Sequence, residues 1–322
     1  MQAMTQDTYG STDVIHLKDI AMPAIGPTQV LVRVRAAGVN IADWAVMHGL
    51  PYIARPVYGL RKPKVAVRGT DVSGVVEAIG DQVSRFQVGD EVFGWGSGSY
   101  AEFAAVAEDA LALKPANLSF AEAASVPMAG LVALQAVRDH GQVGPGSRVL
   151  INGASGGIGT FAVQIAKALG AEVTGVCSTR NLELVRSLGA DHVIDYTTED
   201  FTRNGHRYDL VLDNVSNRSL TELRRTLAPT GMLVPNGGNF SNRWMASGGR
   251  IVRAAVLFSI GGQKVGTFLV AMRREDLETL AAMIDAGSVR PVMDRTYPLR
   301  DLADAMAHVG SGHARGKVAI TV

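Results

Sequence analysis

The stretch Arg148-Val-Leu-Ile-Asn-Gly-Ala-Ser-Gly-Gly-Ile-Gly159 decides the fold. A short apolar strand, Arg148–Ile151, runs into a glycine-rich turn. A helix starts in that turn and carries Phe161, Ile165 and Leu169 on one face. Ala154-x-Gly156-x-x-Gly159 fills the three places of the dinucleotide fingerprint, with alanine in the first. Gly156 lets the backbone approach a pyrophosphate, and Gly159 lets helix and strand pack closely. The helix start offers free N–H groups and a positive dipole end to phosphates. Ala154, Ser155, Gly156, Gly157, Ile158 and Gly159 are therefore the candidate phosphate loop. A glycine-rich turn alone is a weak signal; the strand before it and the helix after it give it weight.

Downstream, strand and helix keep alternating: Val173–Val176, the helix Asn181–Leu188, His192–Ile194, Leu210–Leu212, the helix Leu220–Leu227 and Met232–Val234. This alternation predicts a doubly wound parallel sheet. Arg250–Ser259, apolar and β-prone, reads as an edge strand needing cover. Upstream, Val30–Val34, Val75–Val76 within Val72–Ile79, Glu91–Phe93, Ala101–Val106 and Leu111–Leu113 are short strands separated by Gly, Pro and Asp, the pattern of a compact barrel or folded sheet. Ser119-Phe-Ala-Glu122 fits a capping box. Two helices, Asp276–Ala286 and Leu302–Val309, and a strand, Val318–Val322, end the chain. The fold class is α/β: a β-rich domain from residues 1–122 and 273–322, and a Rossmann domain from 123–272.

Composition agrees with two packed domains. The 322 residues are 47% hydrophobic and 19% charged, enough for two cores and too little charge for long disorder. With 31 basic and 30 acidic residues, no basic excess exists to drive nucleic-acid binding. The single Cys177 forms no internal disulfide and cannot supply a structural zinc site. No signal peptide opens the chain and no apolar run near the end is long enough to span a bilayer. A cytoplasmic protein without a membrane partner is the expectation.

The second strand of the parallel sheet, Val173–Val176, ends in Cys177-Ser-Thr-Arg180. A site for NAD wants a carboxylate there. An acid about 4 Å from a 2′-phosphate would cost on the order of 4 kcal/mol at an effective dielectric near 20. Ser178 and Arg180, with no acid in this turn, point to NADPH. The alternative is that Arg180 merely opens a solvated helix face.

Five ordered motifs carry a resemblance: Tyr9-Gly10; Ala36-Ala-Gly-Val-Asn40-Ile-Ala-Asp43-Trp44; Gly69-Thr-Asp71-Val-Ser-Gly-Val-Val-Glu-Ala-Ile-Gly80; Val88-Gly-Asp90-Glu-Val-Phe-Gly94; and Ala154–Gly159. The chain resembles the zinc-independent medium-chain dehydrogenases/reductases of the quinone oxidoreductase, zeta-crystallin-like, group. The resemblance implies a GroES-like catalytic domain built from both chain ends, an inserted Rossmann domain, a cleft for NADP(H) and a homodimer. Zinc members carry a Cys where Asn40 stands and Gly-His-Glu where Gly69-Thr70-Asp71 stands. No zinc is expected, and the seven histidines have no metal spacing. The implied acceptor is a hydrophobic electrophile, a quinone or a carbonyl-conjugated double bond. A zinc-free alcohol or carbonyl dehydrogenase and an NADPH-binding protein without turnover are the alternatives.

By the same resemblance, Asn40 lies near the nicotinamide and the acceptor, its alternative role being a loop cap. Tyr52 falls where relatives place a cleft aromatic, as a proton donor or as a packed ring. Asp43 reads as a turn or N-cap residue. Tyr196 matches a tyrosine beside the ribose phosphate, Asn214 a strand-end cofactor contact, and Asn236 with Gly237 the nicotinamide-side loop. Lys317 is implied at the cofactor, against a plain solvated lysine. Val132 stands where many members have a threonine facing the nicotinamide.

Overall fold

The computed structural model describes residues 1–237, 242–246, 248–258, 261–266 and 270–322. It divides into two compact units, Met1–Leu131 with Ala271–Gly287 and Pro291–Val322, and Val132–Val270 with Ser288–Arg290. The sequence placed residues 123–131 with the Rossmann domain. They belong to the first unit, where the Met128 N–H donates to buried Asp71 at 3.2 Å.

The first unit opens with an antiparallel pair, β1 (Gln2–Gln6) and β2 (Ile15–Asp19). Sequence reading missed both, because three of the five residues of β1 are polar although Ala3 to Gln6 are all buried. The long β3 (Gln29–Val39) leads into helix α1 (Ile41–Met47), and a short α2 (Arg55–Tyr58) follows. Strands β4 (Asp71–Ile79), β5 (Glu91–Trp95), β6 (Phe103–Ala107) and β7 (Leu111–Leu113) then build the sheet predicted from Gly/Pro punctuation. Helix α3 (Phe120–Ala124) starts at the expected box, with Ser119 Oγ accepting from the Glu122 N–H. Pro127 opens α4 (Pro127–Leu134), since a proline in the first turn has no N–H to lose.

In the second unit, β8 (Arg148–Asn152), α5 (Gly157–Ala168), β9 (Glu172–Cys177), α6 (Leu182–Ser187), β10 (His192–Asp195), β11 (Tyr208–Asp213), α7 (Leu220–Arg225) and β12 (Leu227–Pro235) alternate as expected. Helix α8 (Gly248–Phe258) and strand β13 (Lys264–Val265) follow. The edge strand expected over Arg250–Ser259 is therefore a helix as far as Phe258, and Ser259 lies outside the described residues. Ala254 and Phe258, four apart, are its buried face, while Val252 and Val256 are exposed. That helical spacing outweighs the β-propensity of the branched residues. The parallel sheet runs β10-β9-β8-β11-β12-β13. This is the 3-2-1-4-5-6 order of dinucleotide-binding folds, whose switch point lies at the first and fourth strands, here β8 and β11.

The chain returns to the first unit with α9 (Arg274–Asp285), β14 (Met293–Pro298), α10 (Leu302–Gly310) and β15 (Lys317–Thr321). The seven-stranded sheet is ordered β14-β15-β3-β4-β5-β7, with β6 also on β3. One core there gathers Val32, Val76, Val92 and Leu111; another gathers Met47, Tyr100, Leu302 and Ile320. In the parallel unit, Leu150, Val176, Phe201, Val211 and Phe258 pack together.

Close packing of α5 on β8 depends on Gly159. A β-carbon there would stand 2.1 Å from the Gly153 carbonyl oxygen, a backbone atom that cannot swing away. At Gly156 the nearest atom is 3.4 Å away. Gly159→Ala is expected to lower unfolding free energy by about 1–3 kcal/mol, the cost of overpacking, whereas Gly156→Ala leaves it within about 0.5 kcal/mol. Urea unfolding of the two variants checks this.

Candidate active site

Two constellations, one in each unit, hold the residues singled out by sequence apart from Tyr52. In the parallel-sheet unit the phosphate loop leaves β8 through Gly153, at a positive φ of 81°. Gly156 precedes the first turn of α5, so the free N–H groups of the helix start surround a loop with room at Gly156. Asn181, 5% exposed, ties this loop to the end of β9: its Nδ2 donates to Ser155 Oγ at 3.0 Å and to Ser178 Oγ at 3.2 Å. Its Oδ1 is buried and unpartnered. Sequence reading passed over Asn181, although an Asn before a helical run is a recognisable cap. Arg180 is exposed in the single turn Thr179–Asn181. The backbone N–H of half-exposed Tyr196 donates to the Cys177 carbonyl at 3.1 Å, which sets Tyr196 beside Ser178.

The sequence found no carboxylate at the end of β9, but the sheet brings one from the next strand. Asp195 pairs in register with Cys177. Its oxygens accept from Thr179 Oγ1 at 2.5 Å and Thr197 Oγ1 at 2.7 Å, bonds that hold its carboxyl below the usual carboxylate range. At the other side of the switch point, Asn236 Nδ2 donates to Asn214 Oδ1 at 2.9 Å. The Asn214 amide nitrogen is buried without a partner. Gly237 approaches Ser216 so closely that a β-carbon would lie 2.3 Å from its Oγ. Below them, fully buried Asp213 accepts from Asn152 Nδ2 at 2.9 Å and from Arg250 at 3.1 Å. Open space at Gly156 fits a phosphate at the helix start, the orphaned Asn214 Nδ2 fits an acceptor on the ligand, and the orphaned Asn181 Oδ1 fits a hydroxyl donor such as a ribose supplies.

In the first unit, sheet register assembles the second constellation. Val318 of β15 pairs antiparallel with Val39 of β3, which sets Lys317 opposite Asn40. Gly38 pairs with Asp71 of β4, two residues from Asn40. Lys317, 4% exposed, donates from Nζ to Asn40 Oδ1 at 2.5 Å and lies 4.0 Å from Asp71 Oδ2. Asn40 Nδ2 donates to Asp71 Oδ2 at 3.0 Å and approaches Thr70 Oγ1 at 3.5 Å. The solvated lysine is thus corrected. Lys317 is enclosed because β15 is an interior strand, and its ammonium is used inside the unit.

Asn40 also heads α1. Its N–H donates to Asp43 Oδ2 at 2.9 Å, and Tyr100 OH donates to the same oxygen at 3.1 Å. Asp43, read as a turn or N-cap residue, is neither: Asn40 is the N-cap, and Asp43 is the third helical residue, whose buried carboxylate reaches back to the cap's N–H. Burial, helped by the Asp71 charge, pushes its carboxyl up to about 6. Burial likewise raises Asp71, against the pull of Lys317 and Asn40, and lowers Lys317, against the pull of both carboxylates. Tyr52 is not part of this network: its ring lies under the Arg55 guanidinium at 4.5 Å, and Tyr9 packs on the same guanidinium at 4.8 Å.

Asn40, Thr70 and Asp71 do not fit a zinc site. A carboxamide and a hydroxyl replace soft or nitrogen donors. The one carboxylate already faces an ammonium. Among the described residues no three His, Cys, Asp or Glu side chains are grouped to hold a metal ion, and no helix is long and apolar enough to cross a membrane.

A glycine-rich loop on a 3-2-1-4-5-6 sheet in one unit, and in the other a sheet built from both chain ends, are the features of a nicotinamide-type dehydrogenase/reductase. Residues 26–116 match the alcohol dehydrogenase GroES-like domain family, and residues 188–320 the zinc-binding dehydrogenase family. The human mitochondrial NAD(P)H oxidoreductase RTN4IP1 is 36% identical, over 100% of this chain and 89% of that protein. The 2-methylene-furan-3-one reductase of Solanum lycopersicum is 33% identical over 99% of this chain and 79% of its own length. The solved quinone oxidoreductase of Coxiella burnetii superposes with a TM-score of 0.88 at 29% identity, covering 100% of this chain and 99% of that one. The chain belongs to the quinone oxidoreductase group of the medium-chain dehydrogenase/reductase family, a family of NAD(P)H-dependent oxidoreductases.

The raised Asp43 carboxyl has a measurable consequence. Folded protein binds this proton more tightly than unfolded chain does, so its contribution is present below about pH 4 and is lost as pH rises through about 6. Relative to Asp43→Asn, which keeps an acceptor for Asn40 and Tyr100, the natural protein should lose about 1–3 kcal/mol between pH 4 and pH 7. Denaturant unfolding of both proteins across that range checks the sign.

Proposed function

We propose that the protein is an NADPH-dependent reductase that passes hydride to a quinone or a carbonyl-conjugated double bond without zinc. The observation that carries this reading is the Asn40–Lys317–Asp71 network, set where zinc-dependent members are expected to place their metal ligands. A Lewis acid is what an unactivated ketone or alcohol needs. A conjugated acceptor spreads its developing charge and asks for less. The names of two similar proteins support the acceptor class, one a quinone oxidoreductase and one a reductase of a furanone with a methylene group conjugated to its ketone.

When bound, the dinucleotide supplies hydride from its nicotinamide C4. The loop Ala154–Gly159 binds the pyrophosphate through backbone N–H groups, with Gly156 leaving the space. Ser178 and Arg180 take the 2′-phosphate, and Tyr196 packs beside them. Asp195 is the competing feature, but both its oxygens already accept from threonine hydroxyls. Asn214, Asn236 and Gly237 line the nicotinamide side, where the free Asn214 amide donates. Asn40 offers an N–H to the acceptor oxygen, and water brings the proton. Tyr52, with its ring against Arg55, is kept as a packed wall of the acceptor site. A homodimer rests on the family resemblance alone, since the supposed edge strand is helical.

NADPH oxidation with phenanthrenequinone or an enone is expected to proceed unchanged in the presence of a chelator, with little activity on secondary alcohols. Alcohol oxidation abolished by chelator would overturn the zinc-free reading, and tight NADPH binding with no turnover on any acceptor would replace the enzyme by a binding protein. Arg180→Ala should weaken NADPH by ~1.5–3 kcal/mol, the range for a charge-assisted bond, and leave NADH nearly unchanged. Equal losses in a fluorescence titration would remove Arg180 from the 2′-phosphate.

A further inference from the structure

The family resemblance sets Lys317 at the cofactor, but the described contacts of its ammonium lie with Asn40, Asp71 and the Val39 carbonyl. An ammonium only donates and an ionised carboxylate only accepts. Lys317 on one side and Asp71 on the other therefore permit one orientation of the Asn40 amide, Oδ1 toward Lys317 and Nδ2 toward Asp71. One Nδ2 hydrogen goes to Asp71 at 3.0 Å. The other meets only the long Thr70 Oγ1 contact at 3.5 Å.

We propose that Lys317 is a positioning residue that acts on the reduction through Asn40, fixing its amide and drawing on its carbonyl so that the second Nδ2 hydrogen is presented to the acceptor oxygen, and that it does not grip the dinucleotide. This deepens the reductase reading and rests on it for the acceptor. As hydride reaches the acceptor carbon, the displaced electron pair moves through the conjugated system onto the oxygen, the dinucleotide is oxidised, and water protonates the product. Donation from Lys317 to Oδ1 pulls density from the amide and strengthens its N–H as a donor, the cooperativity of linked hydrogen bonds. Asp71 faces the amide and the ammonium with one oxygen, Oδ2, and its Oδ1 is taken by the Met128 N–H.

The test compares Lys317→Met with the natural protein in two readouts: NADPH dissociation constant from nicotinamide fluorescence, and kcat with phenanthrenequinone. The expected result is a kcat about 10- to 100-fold lower, short of the ~10²–10³ lost with a whole oxyanion donor, and an NADPH constant within about 2-fold. In an Asn40→Ala background Lys317→Met should change kcat by no more than about 2-fold, because its route to the acceptor is gone. A rise of tenfold or more in the NADPH constant would overturn the proposal in favour of direct cofactor contact, and so would kcat losses that simply multiply. Lys317→Met leaves a buried carboxylate unpaired and can fail to fold. Lys317→Met/Asp71→Asn removes both charges and should give the same split of kcat loss and retained binding. Should the natural protein reduce no acceptor, the reductase reading falls, while the NADPH constant of the same variants still decides whether Lys317 touches the cofactor.

Discussion

A buried ammonium is the constraint around which the first unit is arranged. An isolated charge in an apolar interior costs several kcal/mol even after relaxation, and only good partners offset it. Lys317 finds them because β15 enters the sheet between β14 and β3. From that position its side chain reaches the residue after β3 and the first residue of β4. The pairings Val318 with Val39 and Gly38 with Asp71 are what make the charge tolerable. A shift of either by one residue would turn a member of the network to the opposite face. The last strand is thus held by more than its ladder, and the chain's two ends are bound into one unit by a polar contact across 277 residues.

The dinucleotide edge is built on the opposite principle. Its shape comes from backbone and from missing β-carbons: Gly153 turns the chain, Gly156 leaves room and Gly159 lets α5 lie on β8. Its polar side chains are mostly amides and hydroxyls bonded to one another, as Asn181 is to Ser155 and Ser178, and Asn236 to Asn214. Neutral groups of that kind can keep spare donors and acceptors under cover at a modest cost, where an unpaired charge could not be kept. Asp213 is the exception, and it is matched by Arg250 and the Asn152 amide.

What the sequence disclosed divides along the same line. Local signals were legible. The strand–glycine–helix run at Arg148–Gly159, the capping box at Ser119 and the alternation downstream all stand where they were read, because each is written within about ten residues. Elements whose identity depends on a distant neighbour were not. Gly248–Phe258 is helical since Ala254 and Phe258 find cover, a fact that its β-branched composition hides. Strand β1 is declared by distant partners, its pairing with β2 and its bridges to Ala101 and Val67. Asn40 was readable from its motif, but nothing near residue 317 says that this lysine is buried. Asp195 entered the site only through its register with Cys177. The polar networks are products of sheet order, and sheet order was the coarsest part of the reading.

The choice of asparagine at position 40 follows from the charges around it. Two buried carboxylates, Asp43 and Asp71, share the neighbourhood of one ammonium. Burial and mutual repulsion already push Asp43 toward its neutral form. An anionic side chain at position 40, an aspartate or a thiolate, would satisfy Lys317 but add a third negative charge against Asp71. A cationic one would satisfy Asp71 and oppose Lys317. A serine has the right neutrality but a reach too short to touch both partners from one rotamer. A carboxamide accepts at one end and donates at the other without changing the charge count, and asparagine carries it on the shortest stem. Replacing Asn40 by a thiolate alone would therefore set a third negative charge against Asp71 with no metal ligand at Thr70, where zinc-dependent members carry a histidine, so a single substitution does not turn this site into a metal site.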